Sequence, residues 1–231
     1  MKTGVYLGLL TALAALVALS AACTQQTATN GNRVMNHNSS MNMNGMNHNS
    51  MPMNSANHDM SQMHHGGMKS DPNAANAPYD LQFIDTMSHH HEGAVEMAQM
   101  ALKNSSSEEL KKFAQKIIDD QKKEISQLKD WREKWYAGKP PAKNMEMPGM
   151  SDSMKMMSGD GMKKMEAATG KDFDLHFRDM MTPHHAGAVT MAKEALQKAE
   201  HAEIKTLANN IIKAQEEEIQ KMKDKLNQLD R

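Results

Sequence analysis

The sequence predicts an all-α fold: an antiparallel four-helix bundle made of two duplicated helical hairpins, preceded by a disordered Met/His-rich arm. Three observations carry this expectation. A long segment recurs at a constant offset of 94 residues. Apolar residues fall at helical spacing through both copies, and no stretch shows the alternation of a half-buried strand.

Residues 1–23 read as an export signal. Lys2 supplies the positive start, and Val5 to Leu19 is an uncharged apolar run, too short for a confident membrane span. Ser20-Ala21-Ala22 then sets small residues before Cys23, a pattern like a bacterial lipobox with its Leu one position early. Cys23 is therefore expected to be lipidated, with ordinary cleavage after Ala22 as the alternative. The mature protein is expected in the periplasm or at the cell surface, membrane-anchored through Cys23.

Residues 24–78 offer little to bury. Residues 31–70 hold 9 Met, 9 Asn and 5 His, a composition that cannot offset its own ordering entropy. Its Met and His spacings let a flexible chain wrap several donors around one ion, with Met41, Met43, Met46, His48, Met60, Met63, His64 and His65 as auxiliary ligands.

Two hairpins follow, 79–136 and 171–231, joined by a Met-rich crossover, 137–170. Phe83-Ile-Asp-Thr-Met-Ser-His-His-His-Glu-Gly-Ala-Val-Glu-Met-Ala98 aligns with Phe177-Arg-Asp-Met-Met-Thr-Pro-His-His-Ala-Gly-Ala-Val-Thr-Met-Ala192. The second helices continue the register: Leu110, Phe113, Ala114, Ile117, Ile125, Leu128 and Trp131 form one stripe, and Ile204, Leu207, Ala208, Ile211, Ile219, Met222 and Leu229 the other. The breaks fall at Asn104 to Ser107, where Ser107 suits an N-cap, and near Glu200. Neither hairpin can bury its stripe alone, so pairing them is the simplest solution. The crossover opens with Lys139-Pro140-Pro141 and carries 8 Met, expected to lie outside any core, with a short helix near Asp160 to Ala168.

Composition narrows function. The chain of 231 residues has 25 Met and 12 His but 1 Cys. One Cys excludes a disulfide scaffold, a Cys-based zinc finger and an iron–sulfur cluster. A net charge of −1 with interleaved signs gives no basic stripe for nucleic acid.

Chemistry concentrates on the first helix of each copy. Advancing about 100° per residue from Met87 sets His91, Ala94 and Ala98 on one face, with His90 and Met97 at its edge. Met181, His184, His185, Ala188, Met191 and Ala192 repeat the pattern. Small residues leave room around the imidazoles, and Met at i with His at i+3 or i+4 can share one ligand. Met97 and Met191 lie about two turns further on and would line a channel or a second site. On the partner helices, Gln121, Glu124, Gln215 and Glu218 interrupt the apolar stripes, where uncompensated polar groups are costly. They are expected to orient the imidazoles, as outer carboxylates do for metal-bound His. Thioether with imidazole favours a copper ion, with zinc, nickel or silver as further possibilities. His176 and His201 fall outside the repeat and read as surface residues; Met100 and Met222 read as ordinary packing.

The residues His90-His91-x-Gly93-Ala94-x-x-Met97-Ala98 and His184-His185-x-Gly187-Ala188-x-x-Met191-Ala192, each followed by Gln-x-x-Glu-Ile, resemble the bacterial domain-of-unknown-function family 305. The resemblance covers roughly 79–231. It implies a ferritin-like four-helix bundle and the exported copper binding and tolerance of the family's CopM-type members. His89 opposite Pro183, and Glu92 opposite Ala186, depart from strict duplication, so the two halves need not bind equally.

The leading expectation is a copper-binding protein that buffers, sequesters or delivers the metal, with another periplasmic copper carrier or exporter as partner. No catalytic constellation is recognised. A ferritin-like di-iron oxidase would need Glu-x-x-His, which no His in the chain satisfies. An anchored interaction module without metal is the remaining alternative.

Overall fold

The structure, a computed structural model, describes residues 69–157 and 159–226. The export segment, Cys23, and Met41, Met43, Met46, His48, Met60, Met63, His64 and His65 lie outside the described residues, as does Leu229.

Secondary structure among the described residues is helical throughout. After a 3-10 turn at Ala74–Asn76, helix α1 spans Tyr79–Asn104 and α2 spans Glu108–Tyr136. The crossover carries α3 (Met150–Met157) and α4 (Asp160–Ala167), and α5 (Gly170–Lys198) and α6 (Ala202–Leu226) complete the chain. Pro78, whose φ is fixed near the helical value, precedes α1, and Asp80 sits in its first turn. Ser107 caps α2, its hydroxyl accepting the Leu110 N–H at 3.2 Å. Glu108 and Glu109 add negative charge at the same end. No described helix is long and apolar enough to cross a membrane.

Helices α1 and α2 pack as one hairpin and α5 and α6 as the other, while α1 and α5 face each other. The facing pair is antiparallel: near the start of α1 the Tyr79 hydroxyl donates to Glu194 late in α5, at 3.2 Å. Asp80 reaches further and accepts the backbone N–H groups of Glu200 at 3.0 Å and His201 at 2.9 Å, so α1 caps the turn of the other hairpin. Asp174, at the equivalent position of α5, is buried beside Ser105 in the turn of the first hairpin. Asp80 caps its turn through backbone N–H groups, whereas in the first turn Ser105 Oγ accepts the Ser107 N–H. His201 is accordingly no simple surface residue: its Nδ1 lies 2.6 Å from Asp80 Oδ2, and its ring stacks on Trp135 with centroids 3.8 Å apart. His176 is half-buried.

Two apolar clusters form the interior. One collects Phe83, Met87 and Leu128 with Ala188, Met191 and Ile204; the other collects Met97, Met100 and Ile117 with Phe173, Phe177, Met181 and Met222. Phe83, Phe173 and Phe177 are wholly buried, each contributing about 1.5–3 kcal/mol relative to an exposed side chain. Met100 and Met222 pack as expected.

The crossover departs from its expected looseness. Met145, Met147, Met150, Met162 and Met165 are all buried in these clusters. Unbranched thioethers adapt to irregular gaps, and a chain short of aromatics uses them as filler. The backbone is pinned as well: Ala142 N–H donates to Asp85 and Asn144 N–H to Thr86, both at 2.8 Å. Residues 70–71, assigned from sequence to the arm, join it, with Lys143 N–H donating to Asp71 at 2.7 Å and Met145 N–H to Ser70 at 2.9 Å.

Candidate metal centre

The antiparallel packing of α1 on α5 brings the two His pairs together at mid-height. The rings of His90 and His184 stand with centroids 3.8 Å apart, tilted by 34°. His91 and His185 flank them, at 6.2 Å from His90 and 6.4 Å from His184. All four are essentially inaccessible to solvent. Fully buried Ala94, Ala98, Ala188 and Ala192 follow on the same helices, so the imidazoles are not crowded by bulky neighbours there.

Polar partners divide the four. His185 Nε2 hydrogen-bonds Glu218 at 2.9 Å, and His91 Nε2 lies 2.7 Å from Glu124. Glu218 is also approached by Lys116 of α2 at 3.4 Å, which balances a carboxylate that is only 4 % exposed. His90 and His184 have no protein partner at either ring nitrogen; the Nδ1 atoms of His91 and His185 have none, and His91 Nε2, though close to Glu124, makes no hydrogen bond. Buried polar atoms left this way destabilise a fold by about 1–3 kcal/mol each, so packing alone does not account for the cluster. Gln121 and Gln215 are buried but make no bond to an imidazole; both amide atoms of Gln121 and Oε1 of Gln215 are unpartnered. Of the four residues read as orienting the rings, Glu218 hydrogen-bonds its imidazole, Glu124 lies close to His91 Nε2 without hydrogen-bond geometry, and the two Gln touch neither ring.

Burial, then the neighbouring His184 and His91, pushes the His90 pKa well below the ordinary imidazole range. Burial, then His185 and His91, does the same to His184. Both rings are therefore neutral at physiological pH and present a nitrogen lone pair.

Thioethers lie on either side of this layer. Met87 and Met191 share one buried cluster and Met97 and Met181 the other, all four at 0 % exposure. Each cluster thus takes its two thioethers from opposite copies, because antiparallel packing sets residues before one His pair beside residues after the other. Met97 and Met191 do not form a separate site of their own.

Among the described residues no three His, Cys, Asp or Glu side chains are arranged to hold one ion together. An ion at the His90–His184 pair would complete its shell from other donors, and thioether sulfur is the type at hand. That donor chemistry fits a soft monovalent ion such as Cu(I) or Ag(I) better than zinc or nickel.

A residue that sequence reasoning passed over lies beside the pair. The sulfur and terminal methyl of Met157, at the end of α3, each stand 2.8 Å from the point where a Cβ on Gly93 would lie, and His184 Nε2 stands 3.4 Å from that point. No periodicity links residue 157 to residue 93, so only the fold of the crossover reveals the approach.

Comparison with the curated proteins gives no match. Among solved structures, CopM in its Cu(I)-bound form is 34 % identical, with a TM-score of 0.53 over 64 % of this chain and 96 % of CopM. CopM in its Cu(II)-bound form is 36 % identical with a TM-score of 0.54 over the same shares. A DUF305 protein from Streptomyces coelicolor, provisionally described as secreted, is 28 % identical with a TM-score of 0.59, covering 68 % of this chain and 96 % of its own. Residues 80–226, running from α1 through α6, match the family described as Domain of unknown function (DUF305). The chain belongs to that family.

Proposed function

We propose that this chain is an extracytoplasmic copper-binding protein that sequesters, buffers or delivers the metal in copper tolerance. The observation carrying the reading is the layer of four buried imidazoles, two of them without a protein partner at any nitrogen, between buried thioethers. Met87, His90, His91, Met97, Met181, His184, His185 and Met191 are the metal residues, with Glu124 and Glu218 holding the outer rings. Copper is the first choice and silver its closest substitute; zinc and nickel suit thioethers less well. The copper- and silver-bound forms of CopM support the metal, and the description of the Streptomyces coelicolor relative supports export.

The finer parts of this reading extend it. The two hairpins make an antiparallel four-helix bundle of ferritin-like arrangement, whose inward face is the site. Residues 1–23 direct export, Cys23 carries a lipid anchor, and residues 24–68 capture ions for the bundle. The partner would be a periplasmic copper carrier or exporter.

Titration of the signal-free protein with Cu(I) against a competing chelator tests the proposal. Binding tighter than micromolar, weakened by Ala at His90, His91, His184 and His185, is the expected result. Micromolar or weaker binding that these substitutions leave unchanged would refute it.

A further inference from the structure

Gly93 and Gly187 occupy equivalent places in the two copies, yet neither has the positive φ that calls for glycine. Glycine inside a helix destabilises it by about 0.5–1 kcal/mol relative to Ala, so here it serves space, not backbone conformation. The crossover fills the space differently in each copy. A Cβ on Gly187 would meet Ser153 Oγ at 1.8 Å and the Gly149 carbonyl at 2.5 Å, so the start of α3 is seated directly on α5. A Cβ on Gly93 would meet side chains alone, the flexible end of Met157 at 2.8 Å and His184 Nε2 at 3.4 Å. The first notch seats a backbone; the second admits a thioether to the edge of His184.

Resting on the copper reading above, we propose that Met157 is a metal ligand, contributing its sulfur to an ion held at His184 and His90, and that Gly93 exists to admit it. The crossover then completes the centre and does not merely connect the hairpins. His184 Nε2 is unpartnered and faces the same space as the sulfur, and a soft thioether with a neutral imidazole is a Cu(I) donor pair. At the other notch the nearest atom is a hydroxyl already engaged, Ser153 Oγ donating to the Gly149 carbonyl at 2.8 Å. The two notches are therefore unlike, the crossover bringing a sulfur to Gly93 and a hydroxyl to Gly187.

The test compares full-chain wild type, Met157→Leu, Gly93→Ala and Met156→Leu, each loaded with one equivalent of Cu(I). Affinity is read by chelator competition and the sulfur content of the metal shell by X-ray absorption. Met157→Leu keeps the packing volume and should lower affinity by at least about tenfold, with one sulfur lost from the shell. Gly93→Ala retains the thioether but displaces its tip and should give the same two changes. Met156→Leu, at a neighbouring residue 39 % exposed, should change neither. The effect of Met157→Leu should vanish when His90 and His184 are already Ala. If the His substitutions abolish tight binding but Met157→Leu leaves affinity and sulfur content at wild-type values, Met157 is no ligand and the copper reading stands. An equal loss in Met156→Leu overturns the assignment as well, and wild type without tight binding overturns both.

Discussion

Replacing both His90 and His184 by Leu should make the metal-free protein more stable while removing its response to metal. Each ring is about 1 % exposed or less, and together they bury four nitrogens that no protein group satisfies. At the low end of the penalty for an unsatisfied buried group, about 1 kcal/mol per atom, the wild type forgoes about 4 kcal/mol. Two leucines facing each other across a 3.8 Å ring separation bring overpacking strain of about 1–3 kcal/mol. The net expectation is a gain of about 2 kcal/mol, or about 4–8 °C in melting temperature for a domain of this size. The assay is thermal unfolding followed by circular dichroism, once with chelator and once with Ag(I). At an ion concentration of about 100 Kd the wild type should gain about 2.7 kcal/mol from binding, and the variant nothing at this centre. A double variant that melts below wild type in chelator would refute the reasoning, because the imidazole pair would then be structural in its own right.

Other perturbations probe the surroundings of the pair. Acidification should destabilise the metal-free protein: the folded pKa values of His90 and His184 are depressed, so below about pH 6.5 the unfolded chain binds protons that the folded one refuses. Stability should fall by about 1.4 kcal/mol per pH unit per imidazole, and a urea-unfolding series should show a flatter profile in the double Leu variant. Glu218→Ala strands the fully buried His185 and should lose about 1.5–3 kcal/mol; Glu124→Ala should lose less, since its side chain is 18 % exposed and water can replace it. Equal losses in thermal unfolding would contradict that ordering. Gly187→Ala should destabilise by about 1–3 kcal/mol because Ser153 and the Gly149 backbone cannot both yield; an unchanged melting temperature would contradict the seating of α3.

Much of this architecture is legible in the residues because the information is local or repeated. The stripe from Leu110 to Trp131 and its copy mark helices by period alone, and Ser107 announces a helix start by its hydroxyl. The approach of His90 to His184 follows from duplication, since two identical faces that must be buried tend to face each other. The role of the crossover is not local. Met145, Met150 and Met165 sit in a segment with two prolines at its start and no sustained apolar stripe, and only the shape of the gap they fill makes them core. His201 misleads for a similar reason: its partners, Asp80 and Trp135, come from distant parts of the chain. The two Gln are legible as anomalies but not as contacts, because a buried amide in a stripe says nothing about which way it turns.

The placing of a buried Asp from each hairpin against the turn of the other has a further consequence. Asp80 holding Glu200 and His201, and Asp174 set beside Ser105, occupy equivalent places, the self-complementary arrangement of a twofold dimer interface made within one chain. A single hairpin cut free would carry one half of each contact and would be expected to recover the other from a second copy of itself. Joining the copies converts that encounter into an intramolecular event, independent of protein concentration. It also ends the symmetry. A dimer of identical hairpins must treat both glycine notches alike, whereas one crossover meets them with different residues, so covalent linkage permits two halves of unequal chemistry around a shared axis.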